Sequence, residues 1–208
     1  MTKRAVSRRT ALKRIGVGTG AIALLPWLSE EGLAAFAEIQ KTGAPPSLKV
    51  LSAGQYATLE TLVEAIIPAD ERSPGAREAR VADYVDLLLS EADDKVRAQW
   101  LDGLTVLDAE AAARYAAPFV NLSPTQVDEL LTEASRHEKD PDVAKTERPP
   151  LQAFFVTAKQ ATVHGYYTSE IGLHKELRYK GNKVLLEFVG CQTVDGKDCP
   201  WCGQTAEA

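Results

Sequence analysis

Residues 165–172 read Gly165-Tyr166-Tyr167-Thr168-Ser169-Glu170-Ile171-Gly172, and they follow a strongly helical segment. In that segment Phe154, Ala158 and Ala161 recur at helical spacing and lead to Gly165, so one helix face is nearly bare of bulk. A face of this kind lets another backbone come close. We expect the helix to break at Gly165, where two tyrosines, a Thr-Ser pair and a carboxylate follow.

After this motif the sequence predicts an irregular apolar arm over about residues 177–189 rather than another amphipathic helix. Apolar side chains in an irregular segment need a surface that covers them. We interpret that surface as another protein. The predicted partner interface consists of six residues: Tyr166, Tyr167, Ile171, Leu185, Leu186 and Phe188. The alternative is that these residues close the domain's own core.

The remaining pattern is helical throughout. Capping boxes are predicted at Ser52-Gln55 and at Ser123-Gln126, with Pro124 at a first helical position where its missing N–H costs nothing. Apolar residues at helical spacing predict a helix over about residues 94–116 and another beginning near residue 150. They also predict a helix before residue 94, whose apolar face consists of Val81, Tyr84, Val85, Leu88 and Leu89. No convincing period-2 strand is present. The sequence predicts an all-α fold, a single compact helical domain of about five main helices with an irregular C-terminal arm.

The first 37 residues are predicted to be a targeting segment rather than part of the fold. A basic opening contains Arg8 and Arg9 in a twin-arginine pattern, and a moderately apolar stretch follows over Ile15–Leu28. Ala35-Phe36-Ala37 supplies a small-x-small cleavage site. We expect residues 1–37 to be a twin-arginine signal peptide, 38–50 a linker, 51–191 the helical domain and 192–208 a cysteine-containing tail.

The charge of the chain argues against nucleic acid as a partner. Its formal net charge is −5, and removal of the basic leader makes the remainder more acidic. Nucleic-acid binding requires a basic patch or stripe, and the sequence has none outside the leader. We therefore expect no nucleic-acid partner. The twin-arginine leader separately predicts a periplasmic location, reached through the twin-arginine translocase.

Five short stretches of the chain resemble the gluconate 2-dehydrogenase subunit 3 family. They are Ile66-Ile67-Pro68-Ala69 with Pro74-Gly75-Ala76, Asp86-Leu87-Leu88-Leu89, Phe119-Val120-Asn121-Leu122-Ser123-Pro124, the motif at 165–172, and Gly190-Cys191. The resemblance covers about residues 51–191, and the motif is its most specific part.

The resemblance implies a small subunit that accompanies an FAD-dependent sugar or polyol dehydrogenase of the glucose-methanol-choline type. In such complexes the large flavoprotein subunit holds FAD and passes electrons to a haem-c subunit or another acceptor. The small subunit supports export, maturation and stability of the large one. The resemblance therefore implies no catalytic residue and no cofactor in this chain.

The residues themselves assemble no recognisable active site. Asp83 and Asp86 are close enough on a helix to pair, and we interpret them as part of a solvated face rather than an acid/base dyad. His164 is interpreted as a satisfied, partly buried ring rather than a base. The sequence contains no Gly-x-Ser-x-Gly, His-Glu-x-x-His or phosphate-loop motif.

The three cysteines, Cys191, Cys199 and Cys202, all lie near the C-terminus. Export to an oxidising compartment favours a structural disulfide from Cys191 to Cys199 or Cys202. A metal site would need a fourth ligand, and a thioredoxin-like role would need the C-x-x-C at a helix start. The alternative function is accordingly a stand-alone exported helical protein with a thiol-redox or metal-binding role through these cysteines.

We expect one disulfide and no stoichiometric metal in the exported chain, because the compartment is oxidising and a ligand is lacking. Intact-mass analysis before and after reduction should give a difference of two hydrogens. Three free thiols, or about one zinc per chain, would contradict the disulfide.

Overall fold

The computed structural model describes residues 28–43, 45–136, 138, 148–179 and 181. These residues form helices without any strand among them, which confirms the all-α prediction. By its internal contacts the chain divides after Arg178, and every described helix belongs to the first unit. Of the second unit, only Tyr179 and Gly181 are described.

The described residues of the first unit form six α-helices: α1 (Glu30–Thr42), α2 (Ala53–Ile66), α3 (Val81–Glu91), α4 (Asp94–Tyr115), α5 (Pro124–Ala134) and α6 (Pro150–Thr168). A 3₁₀ turn, Phe119–Asn121, lies between α4 and α5, and a π-helix, Ile171–Glu176, follows α6. The five helices predicted from the sequence correspond to α2–α6. Helix α1 was not predicted.

Side chains that bond to otherwise free backbone N–H groups set four of the helix starts, those of α1, α2, α4 and α5. Ser52 and Gln55 form a reciprocal capping box at α2. Ser123 and Gln126 do the same at α5, with a proline at the first position. Asp93 caps α4 by accepting a backbone N–H. Both predicted capping boxes are thus confirmed, and each cap is worth about 1 kcal/mol of helix stability.

Helix α6 lies at the centre of the unit and contacts α2, α3, α4, α5 and the π-helix. Ala158 and Ala161 on its inner face are fully buried. A Cβ built at Gly165 would come within 2.7 Å of the Tyr84 ring of α3, closer than a real side chain tolerates. Small residues therefore set the distance between α6 and its neighbours, as the sequence predicted.

Aromatic rings fill the crossing of α6 with α4. Trp100 and Phe154 pack edge to face, with ring centroids 5.6 Å apart. Gly103 of α4 leaves room for the Phe154 ring, because a Cβ at that position would overlap it. Glycines on both α4 and α6 are therefore needed for the packing of this core.

The interpretation of Asp83 and Asp86 as part of a solvated face is wrong, because both carboxylates are buried. Asp86 accepts the backbone N–H groups of residues 49–51 at 2.6–3.0 Å. Asp83 accepts the Tyr56 hydroxyl at 2.9 Å and pairs with Arg80 in a two-pronged ion pair. Buried carboxylates persist only when they are paired in this way, so both are structural anchors.

The predicted boundary between targeting segment and linker, at residues 37 and 38, falls inside helix α1. Residues 38–42, assigned to the linker, are helical, and the helix ends at Gly43 in the left-handed conformation. Phe36 is buried against the ring of Tyr84 on α3. The linker prediction is therefore wrong for its first five residues, because apolar packing on α3 stabilises a helix there.

A buried hydrogen bond joins α3 to α6. The Tyr84 hydroxyl and His164 Nδ1 lie 2.5 Å apart. Burial raises the pKa of Tyr84 to about 12, with a smaller contribution from Glu91, and burial lowers the pKa of His164 from its ordinary 6.5. At neutral pH the tyrosine is therefore protonated and hydrogen-bonded to a neutral imidazole. His164 is partly buried, as the sequence predicted, and its Nδ1 is hydrogen-bonded to Tyr84.

We expect His164 to make the domain sensitive to acid. Because its pKa is lower in the folded than in the unfolded chain, the unfolded state takes up the proton more readily as pH falls below about 6.5. His164→Asn keeps a hydrogen-bonding group for Tyr84 but does not titrate. The melting-temperature advantage of the wild type over this variant should shrink between pH 8 and pH 5. An advantage that is equal at both pH values would contradict the assignment.

Candidate partner-binding surface

Helix α6 continues past Gly165, through both tyrosines, to Thr168. The prediction that the helix breaks at Gly165 is therefore wrong. Gly165 serves the contact with α3 rather than helix termination. The helix ends at Ser169, whose hydroxyl donates to the Tyr166 carbonyl at 2.6 Å and accepts the Gly172 N–H at 3.0 Å. Serine is suited to this role because its hydroxyl competes with the regular backbone ladder.

The π-helix that follows depends on Gly172. A Cβ on this residue would collide with the Tyr166 carbonyl oxygen. The Gly172 carbonyl in turn accepts the Leu177 N–H at 2.9 Å, in the five-residue spacing of a π-turn. The two glycines of the motif therefore have separate functions: Gly165 brings α6 against α3, and Gly172 lets the chain fold tightly back under the end of α6.

Tyr166 belongs to the core of this chain, so its assignment to the partner interface is wrong. Its side chain is 2% exposed. The hydroxyl donates to the Pro74 carbonyl at 2.8 Å and lies 2.8 Å from the Ser73 hydroxyl. This side chain therefore fastens the loop between α2 and α3 to α6, and burial raises its pKa.

Tyr167, the next residue, faces solvent with 38% of its side chain exposed. Successive residues on a helix point about 100° apart, which explains why the two tyrosines differ. Val163, one turn earlier, is 41% exposed. An uncharged face, here called the α6 outer face, continues from them along the helix: Ala153, Val156, Gln160, Val163 and Tyr167.

Charged groups flank the α6 outer face rather than interrupt it. Lys159 forms an ion pair with Glu138 at 2.8 Å and lies over the Phe155 ring. Glu170, at the other end, donates its backbone N–H to Gln40 of α1 at 2.7 Å. Uncharged, apolar positions between charged borders are the composition found at the centre of protein–protein interfaces.

The other predicted interface residues differ in their placement. Ile171 is partly buried and packs against the core, so it offers only part of its side chain to a partner. Leu185, Leu186 and Phe188 lie outside the described residues, as do the three cysteines and the arginines of the export signal. Those assignments stay predictions.

The exposure of Val163 was not predicted from the sequence. Its signal was the spacing of 163 from 160 and 167, which places it opposite the small-residue face of α6. Valine is usually interpreted as a core residue, and only the position of the opposite face identifies it as exposed. A helical-wheel comparison with Ala158 and Ala161 would have found it.

The described residues hold no site with obvious chemistry. Among them, no three His, Cys, Asp or Glu side chains come together as metal ligands. Burial and the neighbouring Asp83 raise the pKa of Tyr56, which keeps it protonated as a donor rather than free to exchange a proton. No described helix is both long and apolar enough to cross a membrane.

Comparison with known proteins identifies a family for this chain. No curated protein and no solved structure matches it significantly. A sequence model of gluconate 2-dehydrogenase subunit 3 matches residues 53–183. That span begins with α2 and runs past the π-helix, so it includes the α6 outer face and most of the core described above. The chain belongs to the gluconate 2-dehydrogenase subunit 3 family, whose name denotes a subunit of a dehydrogenase complex.

Proposed function

We propose that this chain is the non-catalytic small subunit of a periplasmic, FAD-dependent sugar or polyol dehydrogenase complex. It aids twin-arginine export, maturation and stability of the large flavin-bearing subunit. The large subunit holds the FAD and carries out the oxidation, and a haem-c subunit or another acceptor takes the electrons. Family membership supports the role of a subunit, and the leader sequence supports the export route.

The observation that carries the proposal is the α6 outer face. Val163 and Tyr167 expose large apolar side chains on α6. This helix packs against α2, α3, α4 and α5. An apolar face on the central helix offers a partner a rigid surface, because the opposite face of that helix is held in the core. Aromatic residues at the centre of such a surface commonly dominate binding energy.

The polar groups of the described core support a structural rather than catalytic role. Asp83 and Asp86 accept hydrogen bonds from Arg80, Tyr56 and backbone N–H groups, and Tyr84 is hydrogen-bonded to His164. A general acid or base must be free to exchange its proton with a substrate. These groups instead hold helices together.

The direct experiment is purification of the tagged chain from the periplasm. A co-purifying yellow polypeptide of flavin-enzyme size is expected, and the flavin spectrum should belong to that polypeptide. The isolated chain should be colourless, because the flavin belongs to its partner. A flavin spectrum from the isolated chain would contradict this division of labour.

We expect Val163→Asp with Tyr167→Ala to weaken capture of the large subunit at least tenfold, which corresponds to about 1.4 kcal/mol. Val163→Asp would bury a charge in an apolar contact, and Tyr167→Ala would remove an aromatic anchor from the same contact. Titration of the large subunit with the purified wild-type chain and with the variant measures the change in affinity. Melting should stay cooperative, since both side chains are exposed.

The matched control is Val120→Asp, because Val120 is also 41% exposed but lies in the 3₁₀ turn, on another element. It should leave capture unchanged. Equal loss of binding by both changes would indicate a general effect of charge. Normal binding by the α6 double variant would remove the α6 outer face as the interface.

We expect Arg8→Lys with Arg9→Lys to retain both this chain and the large subunit in the cytoplasm, because the export machinery reads the arginine pair. Fractionation and immunoblotting of both subunits measure this outcome. Arg4→Lys, at a basic position outside the pair, serves as the control and should not affect export. Normal export of the double variant would reject the twin-arginine route.

A further inference from the structure

Helix α1 contains the stretch Ala35-Phe36-Ala37, which by sequence has the small-x-small form of a signal-peptide cleavage site. In the structure this stretch is helical, and its central residue, Phe36, is buried. It lies in the middle of a regular helix that contacts α3. Proteases cut exposed, locally unfolded chain, so the contacts of α1 decide whether the site can be used.

The N-terminal end of α1 is fixed to α3 by paired hydrogen bonds. Ser29, the N-cap, donates its backbone N–H to Glu91 Oε2 at 2.8 Å and its hydroxyl to Glu91 Oε1 at 2.7 Å. The same hydroxyl accepts the Gly32 N–H at 3.0 Å, which caps the helix. A Cβ at Gly32 would come within 2.5 Å of Glu91 Oε1, so glycine allows this close approach.

The middle of α1 is part of the hydrophobic core. Phe36 is 2% exposed and packs edge to face on Tyr84, with ring centroids 5.2 Å apart. Leu28, just before the N-cap, is buried as well. Tyr84 also bonds to His164, so Phe36 covers the residue that joins α3 to α6. Loss of Phe36 would expose this junction to water.

The C-terminal end of α1 contacts the motif that ends α6. Gln40 Oε1 accepts the Glu170 N–H at 2.7 Å, across 130 residues of sequence. Gly43 closes the helix in the left-handed conformation, and its N–H donates to the Ile39 carbonyl. Both ends of α1 and its middle are therefore held by the rest of the unit.

Cleavage after Ala37 would remove Leu28, the Ser29 cap and Phe36 together. The remaining helical residues, 38–42, are too few to form a stable helix of their own. A chain exported by the proposed route is already folded when it meets a signal peptidase, so α1 would be docked at that moment. The Phe36 side chain would then be inaccessible.

We propose that α1 is a permanent part of the folded subunit and that processing, where it occurs, cuts on the N-terminal side of Leu28. The position of the cut rests on the proposed export. The structural role of α1 does not, since it follows from the contacts of Ser29, Phe36 and Gln40 within the chain.

The first test is N-terminal sequencing and intact-mass analysis of the chain recovered from the periplasm in complex. A mature chain that begins at or before Leu28 is expected. A chain that begins anywhere from Ser29 to Glu38 would overturn the proposal. If no chain is exported, the proposed function fails on this point, and the second test alone decides the role of α1.

The second test compares full-length variants, purified without export. Phe36→Ala should lower the melting temperature by about 10 °C, as expected for a deleted core aromatic in a domain of this size. Leu33→Ala is the matched control, since Leu33 lies one turn earlier and is 42% exposed. The milder Phe36→Leu serves if the alanine variant does not fold. An effect of Phe36→Leu or Phe36→Ala no larger than that of Leu33→Ala would overturn the proposal.

Discussion

The close approach of α6 to α3 and α4 is the constraint on which the rest of this structure depends. Gly165 and Gly103 mark the two contacts, and at both a single Cβ would overlap an aromatic ring. Interiors are packed like crystals, so a shift at either contact would be transmitted to every helix that touches α6. The rings of Tyr84 and Phe154 then occupy the space that the missing Cβ atoms leave.

Polar anchoring of the loops is the second layer of this architecture. Asp86 gathers three consecutive N–H groups of the segment before α2, and Tyr166 holds the loop between α2 and α3. Each anchor satisfies backbone groups that the buried chain would otherwise leave without partners. Buried polar side chains of the helices thus hold the loops that connect these helices.

Much of this fold was open to prediction because its signals are local. The capping residues Ser52 and Ser123 act within one turn, and the buried side of α4 follows directly from its apolar period. The features that were not predicted depend on contacts between residues far apart in the sequence. Nothing local to Asp86 shows that three N–H groups lie opposite it, and nothing local to Phe36 distinguishes a leader from a helix that packs on α3. Tyr166 and Tyr167 have the same chemistry, and only the helix phase separates core from surface.

The phase of these two tyrosines links recognition to folding. Tyr167 points outward only while Tyr166, beside it, points into the loop of Ser73 and Pro74. In an unfolded or half-folded chain the two side chains are equivalent, and no ordered apolar face exists. A protein that bound the α6 outer face would therefore distinguish the folded form of this chain from an unfolded one.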